Sequence, residues 1–375
     1  MVLVFILISI SYFLLITAFI IGFGKVETVK NENFEPKNTF SIIIPFRNEV
    51  KNLPELLNSL SLLNYPKNLF EILLINDESS DGFNSIIQSF IQNNSNLKIH
   101  LINNLRATNS PKKDAINTAI KNSNFNWIVT TDADCEVPIN WLQLFNQFIE
   151  IDQPLFIGGP IKFKREKTFL FHFQNLNFLS LIGSTIGGFG IKRSFMCNGA
   201  NLCYNKSTFI EIGGFSGNSK ISSGDDIFLL EKMSKTNPEK VKFLKSKEAI
   251  VETKSESSWK LFLNQQLRWA SKSTDYNNNF SRLVGILVFS MNLTLIVLGI
   301  LTILKPNYLN YFLMLLIQKI IIDFFLIIKT SDFLNSRKSL RYYLLISLLY
   351  LVFVVVIGSL SFLKKYTWKG RTFKK

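Results

Sequence analysis

Residues 126–138, NWIVTTDADCEVP, set an apolar, strand-like run directly against three acidic residues. Trp127, Ile128 and Val129 read as a buried strand, and Asp132, Asp134 and Glu136 follow within a few positions. Carboxylates crowded at the end of a core strand repel one another and lose hydration unless something positive sits among them. A divalent cation with a phosphate behind it meets that need, because hard cations take carboxylate and phosphate oxygens. Whether that reading holds depends on what the neighbouring segments place beside this strand.

FSIIIPFRNE (Phe40–Glu49) is a short β-branched run closed by a proline, which predicts a buried strand. NLPELLNSLSLL after it has apolar residues at helical spacing. EILLINDESSDG repeats the plan, with a strand over Ile72–Ile75 and then a polar loop holding Asp77 and Asp81. LKIHLIN predicts a third strand, DAINTAIKNS a helix, and NWIVTTDAD the next strand. Strands alternating with helices predict an α/β fold with a parallel sheet covered by helices on both faces. Ligands of such sheets bind beyond the carboxyl ends of the strands. Asp77 and the Asp132/Asp134 pair fall at that edge together, which says more than either cluster alone.

Farther along, GGFSGNSKISSGDDIFLLEKM puts Asp225 and Asp226 before an apolar helix. Acidic residues cap helix N-termini, so capping accounts for one of them. A second adjacent carboxylate exceeds what a cap needs. In QQLRWASKS (265–273), Gln265, Arg268 and Trp269 share one helical face by their spacing. A guanidinium beside an indole can bind phosphate and stack, or can anchor a helix at the headgroup level.

The 375-residue chain is 47% hydrophobic and carries a formal net charge of +15. Its basic residues form no single block suited to a nucleic-acid groove; many sit beside apolar runs, among them Lys25, Lys30, Arg337, Lys338, Arg341 and the tail Lys364–Lys375. Cations in such places contact anionic headgroups and set topology. Cys135, Cys197 and Cys203 have no CxxC spacing and read as reduced thiols. Two histidines, His100 and His172, are too few for a His-based zinc site.

Residues 2–23 carry no charge and are long enough to span a bilayer, so an uncleaved anchor is expected there. Leu283–Leu304 and Tyr342–Leu363 are similar. Tyr308–Ile328 is interrupted by Gln318, Lys319 and Asp323; Lys319 and Asp323 are four apart and share a helical face, as suits a bundle interior or an interfacial helix. Cytoplasmic placement of the central domain leaves the basic tail on the opposite side if all three C-terminal runs cross. Either the tail breaks the positive-inside trend or one run is re-entrant or interfacial, and the second reading is favoured, with Tyr308–Ile328 the weakest span.

SIIIPFRNE, LLINDESSDG, TTDAD, SSGDD and QQLRW, in this order, resemble a membrane-anchored family 2 glycosyltransferase. The resemblance covers roughly residues 38–270. It implies a GT-A, Rossmann-like nucleotide-sugar-binding fold, inversion at the transferred sugar, and a divalent cation, Mn2+ or Mg2+. By the same resemblance, Pro45 and Glu49 close the first strand against the nucleotide, and Asp77 holds a uracil ring with Asp81 in the same loop, so the donor is expected to be UDP-linked. Lys112 lies near the nucleotide, Asp134 binds the metal, and Asp132 contacts ribose or metal. Asp226, beside Asp225, looks like the general base, and Gln265, Arg268 and Trp269 bind the diphosphate and line the acceptor site. NDESSDG departs from the family pattern in having Asn76 where a second aspartate is common.

The expected organisation is an anchor over 1–24, a GT-A domain over 38–240, a QxxRW and interfacial region over 241–281, membrane helices over 282–363 and a basic tail over 364–375. Residues 167–195, rich in Phe and Leu, read either as an amphipathic helix on the bilayer near the active site or as a domain-core helix followed by a glycine loop. The ending YTWKGRTFKK resembles family members that glycosylate membrane lipids or carotenoid-like acids. The expected activity is transfer of one sugar to a membrane lipid or lipid-linked acceptor at the cytoplasmic face of the inner membrane, with no nucleic-acid partner. A processive polysaccharide synthase is the alternative. A small transporter leaves the central domain unexplained, and a nucleotide-sugar-binding subunit without turnover leaves Asp226 and Arg268 unexplained.

Overall fold

The computed structural model describes residues 2–217, 224–271, 278–361, 366–369 and 371–373. Ser222 and Ser223 of SSGDD, Lys272 and Ser273, and several residues of the basic tail lie outside them. In chain order the elements begin with α1 (Val2–Lys25), β1 (Phe40–Phe46), α2 (Leu53–Ser61), β2 (Phe70–Asn76), α3 (Phe83–Asn93), β3 (Lys98–Asn103), α4 (Pro111–Asn122) and β4 (Trp127–Thr130). Then come β5 (Cys135–Glu136), α5 (Trp141–Asp152), β6 (Phe156–Gly158), β7 (Ile161–Phe163), α6 (Phe169–Gly190), β8 (Leu202–Asn205), α7 (Lys206–Glu211) and α8 (Asp225–Thr236). The chain continues through β9 (Val241–Phe243), β10 (Val251–Thr253), α9 (Trp259–Ala270), α10 (Asn279–Leu304), α11 (Leu309–Phe333) and α12 (Tyr343–Ser361) to the hairpin β11 (Tyr366–Trp368) and β12 (Arg371–Phe373).

The chain forms two compact units, one of residues 27–164 and 196–254, the other of residues 1–26, 165–195 and 255–375. This division differs from the expected single block over 38–240. Residues 165–195 leave the first unit and join the second, and the first unit begins at Glu27 and runs to Lys254.

The first unit is built on a seven-stranded sheet of order β3-β2-β1-β4-β8-β6-β9. β1 pairs in parallel with β2 and β4, and β2 with β3, as the alternating strand and helix pattern predicts. β1 is central and buried except for half-buried Pro45, which explains its unbroken apolar run. The expectation of a purely parallel sheet needs correction, because β8 runs antiparallel to both β4 and β6. A second sheet of order β5-β10-β7 in the same unit draws its strands from between and after those of the first.

Several buried polar side chains of this unit are matched. Glu71 accepts from Ser41 Oγ at 2.6 Å and from Asn124 Nδ2 at 2.8 Å. On α5, Asn146 accepts from the Lys37 and Asn38 amides, both at 3.1 Å, and Gln147 accepts from the Glu32 amide at 3.0 Å. These bonds strap the irregular segment after residue 27 to the domain, which is why the unit starts well before its first strand.

The second unit is helical. α1 packs on α6, α10 and α11, and α10 packs on α12. α1 and α6 touch backbone to backbone: a Cβ on Gly190 would sit 1.8 Å from the Gly22 carbonyl oxygen, and one on Gly187 2.5 Å from that of Phe19. Residues 167–195 do not form the expected domain-core helix: α6 is mostly buried, but among the helices of the second unit, where it packs on α1 and α11. The expected glycine loop is instead the last turns of that helix, where small residues let two backbones meet.

Among the described residues four helices are long and apolar enough to cross a membrane: α1, α10, the stretch 306–333 that contains α11, and the stretch 337–361 that contains α12. The 25-residue α11 is continuous, so a re-entrant break in Tyr308–Ile328 is not what forms. Lys319 and Asp323 pair at 2.6 Å, and Tyr12 of α1 donates to Asp323 at 2.7 Å. The pair therefore faces a neighbouring helix inside the bundle.

Candidate active site

The acidic residues singled out on sequence fall at one edge of the seven-stranded sheet. β1 and β2 end in register, Phe46 opposite Asn76, and Thr130 of β4 lies opposite Ile43. Asp77 and Asp132 therefore follow β2 and β4, the parallel strands on either side of β1, and leave the sheet in the same direction. Pro45 sits within β1 and Glu49 just past it, where the Glu49 carboxylate accepts from Asn52 Nδ2 at 2.6 Å.

Two motifs more than ninety positions apart meet here. Lys112, in the first turn of α4, puts Nζ 2.6 Å from Asp132 and 3.6 Å from Asp225. Burial alone would lower the Lys112 pKa, but Asp132, Asp225 and Asp226 outweigh it and hold the ammonium charged. Asp226 accepts from the Gly199 amide at 3.1 Å, while Thr130 Oγ1 donates to the Gly199 carbonyl at 2.7 Å. Gly199 thus joins the end of β4 to the start of α8. A side chain there would crowd the site, since a Cβ would lie 3.3 Å from both Lys112 Nζ and Asp225 Oδ2.

Neither Asp225 nor Asp226 is the α8 cap; Gly224, at φ 81°, holds that position and the two carboxylates occupy the first turn. Asp134 takes the Cys135 thiol at 3.7 Å. That thiol is buried, and burial, then Asp134 and Asp132, push its pKa up and keep it protonated. Burial, then Asp226 and Asp225, do the same for Cys197.

The loop after β2 is organised by residues the sequence reading left out. Arg47 donates to the Asp77 and Glu78 carbonyls at 2.7 and 2.9 Å, and Asp81 accepts from the Val50 amide at 2.7 Å. Asp77 accepts from Asn104 at 2.7 Å, and Arg106 lies 3.7 Å from Asp77 and 3.4 Å from Asp114. Arg47, Asn104 and Arg106 all lie just past strand ends, so the edge rule that selected the aspartates could have found them. Asn76, the departure from the family pattern, accepts from the Ser79 amide at 2.9 Å and so shapes the loop.

Gln265, Arg268 and Trp269 share α9, as their spacing predicts, in the helical unit. Gln265 donates to Glu256 at 3.0 Å.

Among the described residues no group of three His, Cys, Asp or Glu side chains converges on one point. The donors fit a cation held by one or two carboxylates and completed by substrate phosphate, as Mg2+ commonly is. Asp132 and Asp134 would supply such a cation with two hard oxygen ligands. Beside them Thr131 Oγ1, and at the head of α4 Ser110 Oγ, are buried without a protein partner among the described residues.

Residues 41–220 match the family model for Glycosyl transferase family 2. Curated relatives agree with it. Glycosyltransferase AglE of Haloferax volcanii is 28% identical over 33% of this chain and 39% of its own length. Poly-beta-1,6-N-acetyl-D-glucosamine synthase of Staphylococcus epidermidis is 26% identical over 48% of this chain and 40% of its own. The matched segments span about two fifths of those relatives. The mannosyltransferase PcManGT from Pyrobaculum calidifontis, solved with GDP-Man and Mn2+, superposes with a TM-score of 0.56 at 14% identity, covering 88% of this chain and 98% of that one. That likeness shows the fold. The first unit is a mixed α/β sheet of GT-A type, and residues 41–220 are similar to family 2 glycosyl transferases.

Proposed function

We propose that the chain moves a sugar from a nucleotide-sugar to a membrane lipid or lipid-linked acceptor at the cytoplasmic face, with inversion. The observation that carries this reading is the Lys112 bridge, which gathers Asp132, Asp225 and Asp226 at the carboxyl edge of the sheet. Asp77 and Asp81 line the loop after β2 at that edge, where the donor's base and ribose would sit; a buried Asp81 oxygen is without a protein partner among the described residues. Asp134 and Asp132 would hold Mn2+ or Mg2+, which neutralises the charge developing on the departing diphosphate. Lys112 adds a fixed cation beside the same carboxylates. Asp226 takes the proton from the acceptor hydroxyl as it attacks, and its bond to the Gly199 amide sets its orientation. Arg268, with Gln265 and Trp269, is assigned to the diphosphate and the acceptor.

The four apolar helices support an acceptor that resides in the membrane. The likeness to a poly-beta-1,6-N-acetyl-D-glucosamine synthase favours a second reading, repeated transfer to a growing polysaccharide.

Detergent-purified protein, a panel of nucleotide-sugars and a total lipid extract, with and without manganese, test the proposal. Metal-dependent label in the organic phase is expected and identifies the donor. Label in insoluble polymer alone would replace the lipid reading with the polymer one. Absence of any transfer or donor hydrolysis across the panel would overturn both.

A further inference from the structure

The helical unit holds a concentration of polar chemistry of its own. His172 and Asn175 on α6 are buried, as is Ser339 in the 3-10 turn Arg337–Tyr342 that joins α11 to α12. Asn175 donates to Ser339 Oγ at 2.8 Å, and His172 Nδ1 lies 3.0 Å from the same oxygen. On the other side of the ring, Arg341 lies 3.3 Å from His172 Nε2. A guanidinium cannot accept, so Nε2 does, which puts the ring proton on Nδ1, donating to Ser339. Burial, then Arg341 and Arg165, push the imidazole below its ordinary range and keep it neutral.

An arginine held by a buried neutral histidine, instead of a carboxylate, keeps its full charge for something else. Arg341 and Arg165 are the charged groups that act on His172, and no acid acts on it. Both arginines are exposed, and neither makes an ion pair among the described residues. Acids on the flanking segments are engaged elsewhere: Asp332 with Arg337, Glu256 with Gln265 and Glu166 with Ser255. Aromatic rings border the cluster. Tyr342 lies 4.6 Å from the imidazole and 4.7 Å from the Arg341 guanidinium, and Phe169 lies 5.9 Å from Tyr342 and 6.5 Å from Trp259. Rings and cations where two membrane-length helices end are the composition of a membrane–water interface.

We propose that Arg341 and Arg165 form a subsite for the phosphate of a membrane-lipid headgroup, with the His172–Ser339–Asn175 chain locking Arg341 in place. The planar guanidinium fork matches phosphate oxygens in pairs. The inference needs the membrane reading of the helices and not the transferase reading.

The test titrates fluorescent phosphatidic acid into the full-length chain in neutral detergent. Saturable binding is expected. Arg341→Gln and Arg165→Gln should each weaken it about tenfold or more, the scale of a lost hydrogen bond to a charged group. Lys338→Gln, an exposed neighbour with no hydrogen bond or ion pair among the described residues, should change it less than about twofold. His172→Phe should weaken binding with both arginines intact, which a diffuse charge effect would not do. Should Arg341→Gln fail to fold, Arg165→Gln carries the test. Equal loss with Lys338→Gln, or non-saturable binding, would overturn the subsite. If millimolar inorganic phosphate displaces the lipid and binds as tightly, the subsite takes free phosphate and the headgroup assignment fails. Loss of sugar transfer with lipid binding intact would count against the proposed function alone.

Discussion

Adjacent lysines on α4 meet opposite environments. Lys112 is held charged by three aspartates, whereas Lys113, buried against the Phe228 ring at 4.6 Å, is lowered by burial to about 8 although Asp225 and Asp226 pull it back up. Between about pH 8 and the ordinary lysine value near 10.4, the unfolded chain holds a proton that the folded chain has released. Stability should therefore rise with pH across that window. Lys113→Met should flatten the rise relative to wild type, checked by thermal unfolding in detergent at a series of pH values. For the proposed base, Asp226→Asn should cut turnover by roughly 10²- to 10⁴-fold while nucleotide-sugar binding persists, read by separate turnover and binding assays. A mutant near the wild-type rate would remove Asp226 from that role. The aspartates were legible in the sequence because paired charge after an apolar strand is costly and so conspicuous. Arg106 and Asn104 also follow a strand end, so their position was legible, but a single polar residue in a loop carries no such penalty and their partner, buried Asp77, shows only in the fold.

Among the elements, the long parallel strands announce themselves, while β6, β7, β9 and β10 run only three residues each and leave too short a pattern to read. The antiparallel course of β8 is set by its partners across the sheet, not by its own four residues. α6 misled in another way: its glycines look like a loop, yet they close the contact with α1. Gly187→Ala should cost about 3 kcal/mol or more, since backbone must separate from backbone. Gly285→Ala on α10, with nothing within 4 Å of the new methyl, should be neutral or stabilising by about 0.5–1 kcal/mol. Thermal unfolding of the two variants compares these costs directly. Asp323→Leu leaves the buried Lys319 charge unpaired and should cost about 3–5 kcal/mol, much of it recovered in the double variant with Lys319→Leu. Unchanged melting of the single variant would mean the pair is hydrated.

For the whole molecule, the sequence showed a domain between membrane segments but not that residues 165–195 depart from it to join the helices. Nothing local marks that departure, because α6 becomes a bundle helix only through partners distant in the chain. A truncated chain of residues 27–254 would keep α6 without α1 and α11, and should stay soluble only in detergent; size-exclusion chromatography with and without detergent decides this. The Tyr12–Asp323 bond spans 311 positions. At about 5–20 residues per second, the first helix leaves the ribosome roughly 15–60 s before the carboxylate that receives its hydroxyl has been made. During that interval α1 exists without the α11 surface it packs against, and assembly of the bundle is a late event of biogenesis, timed by translation of its second-last helix.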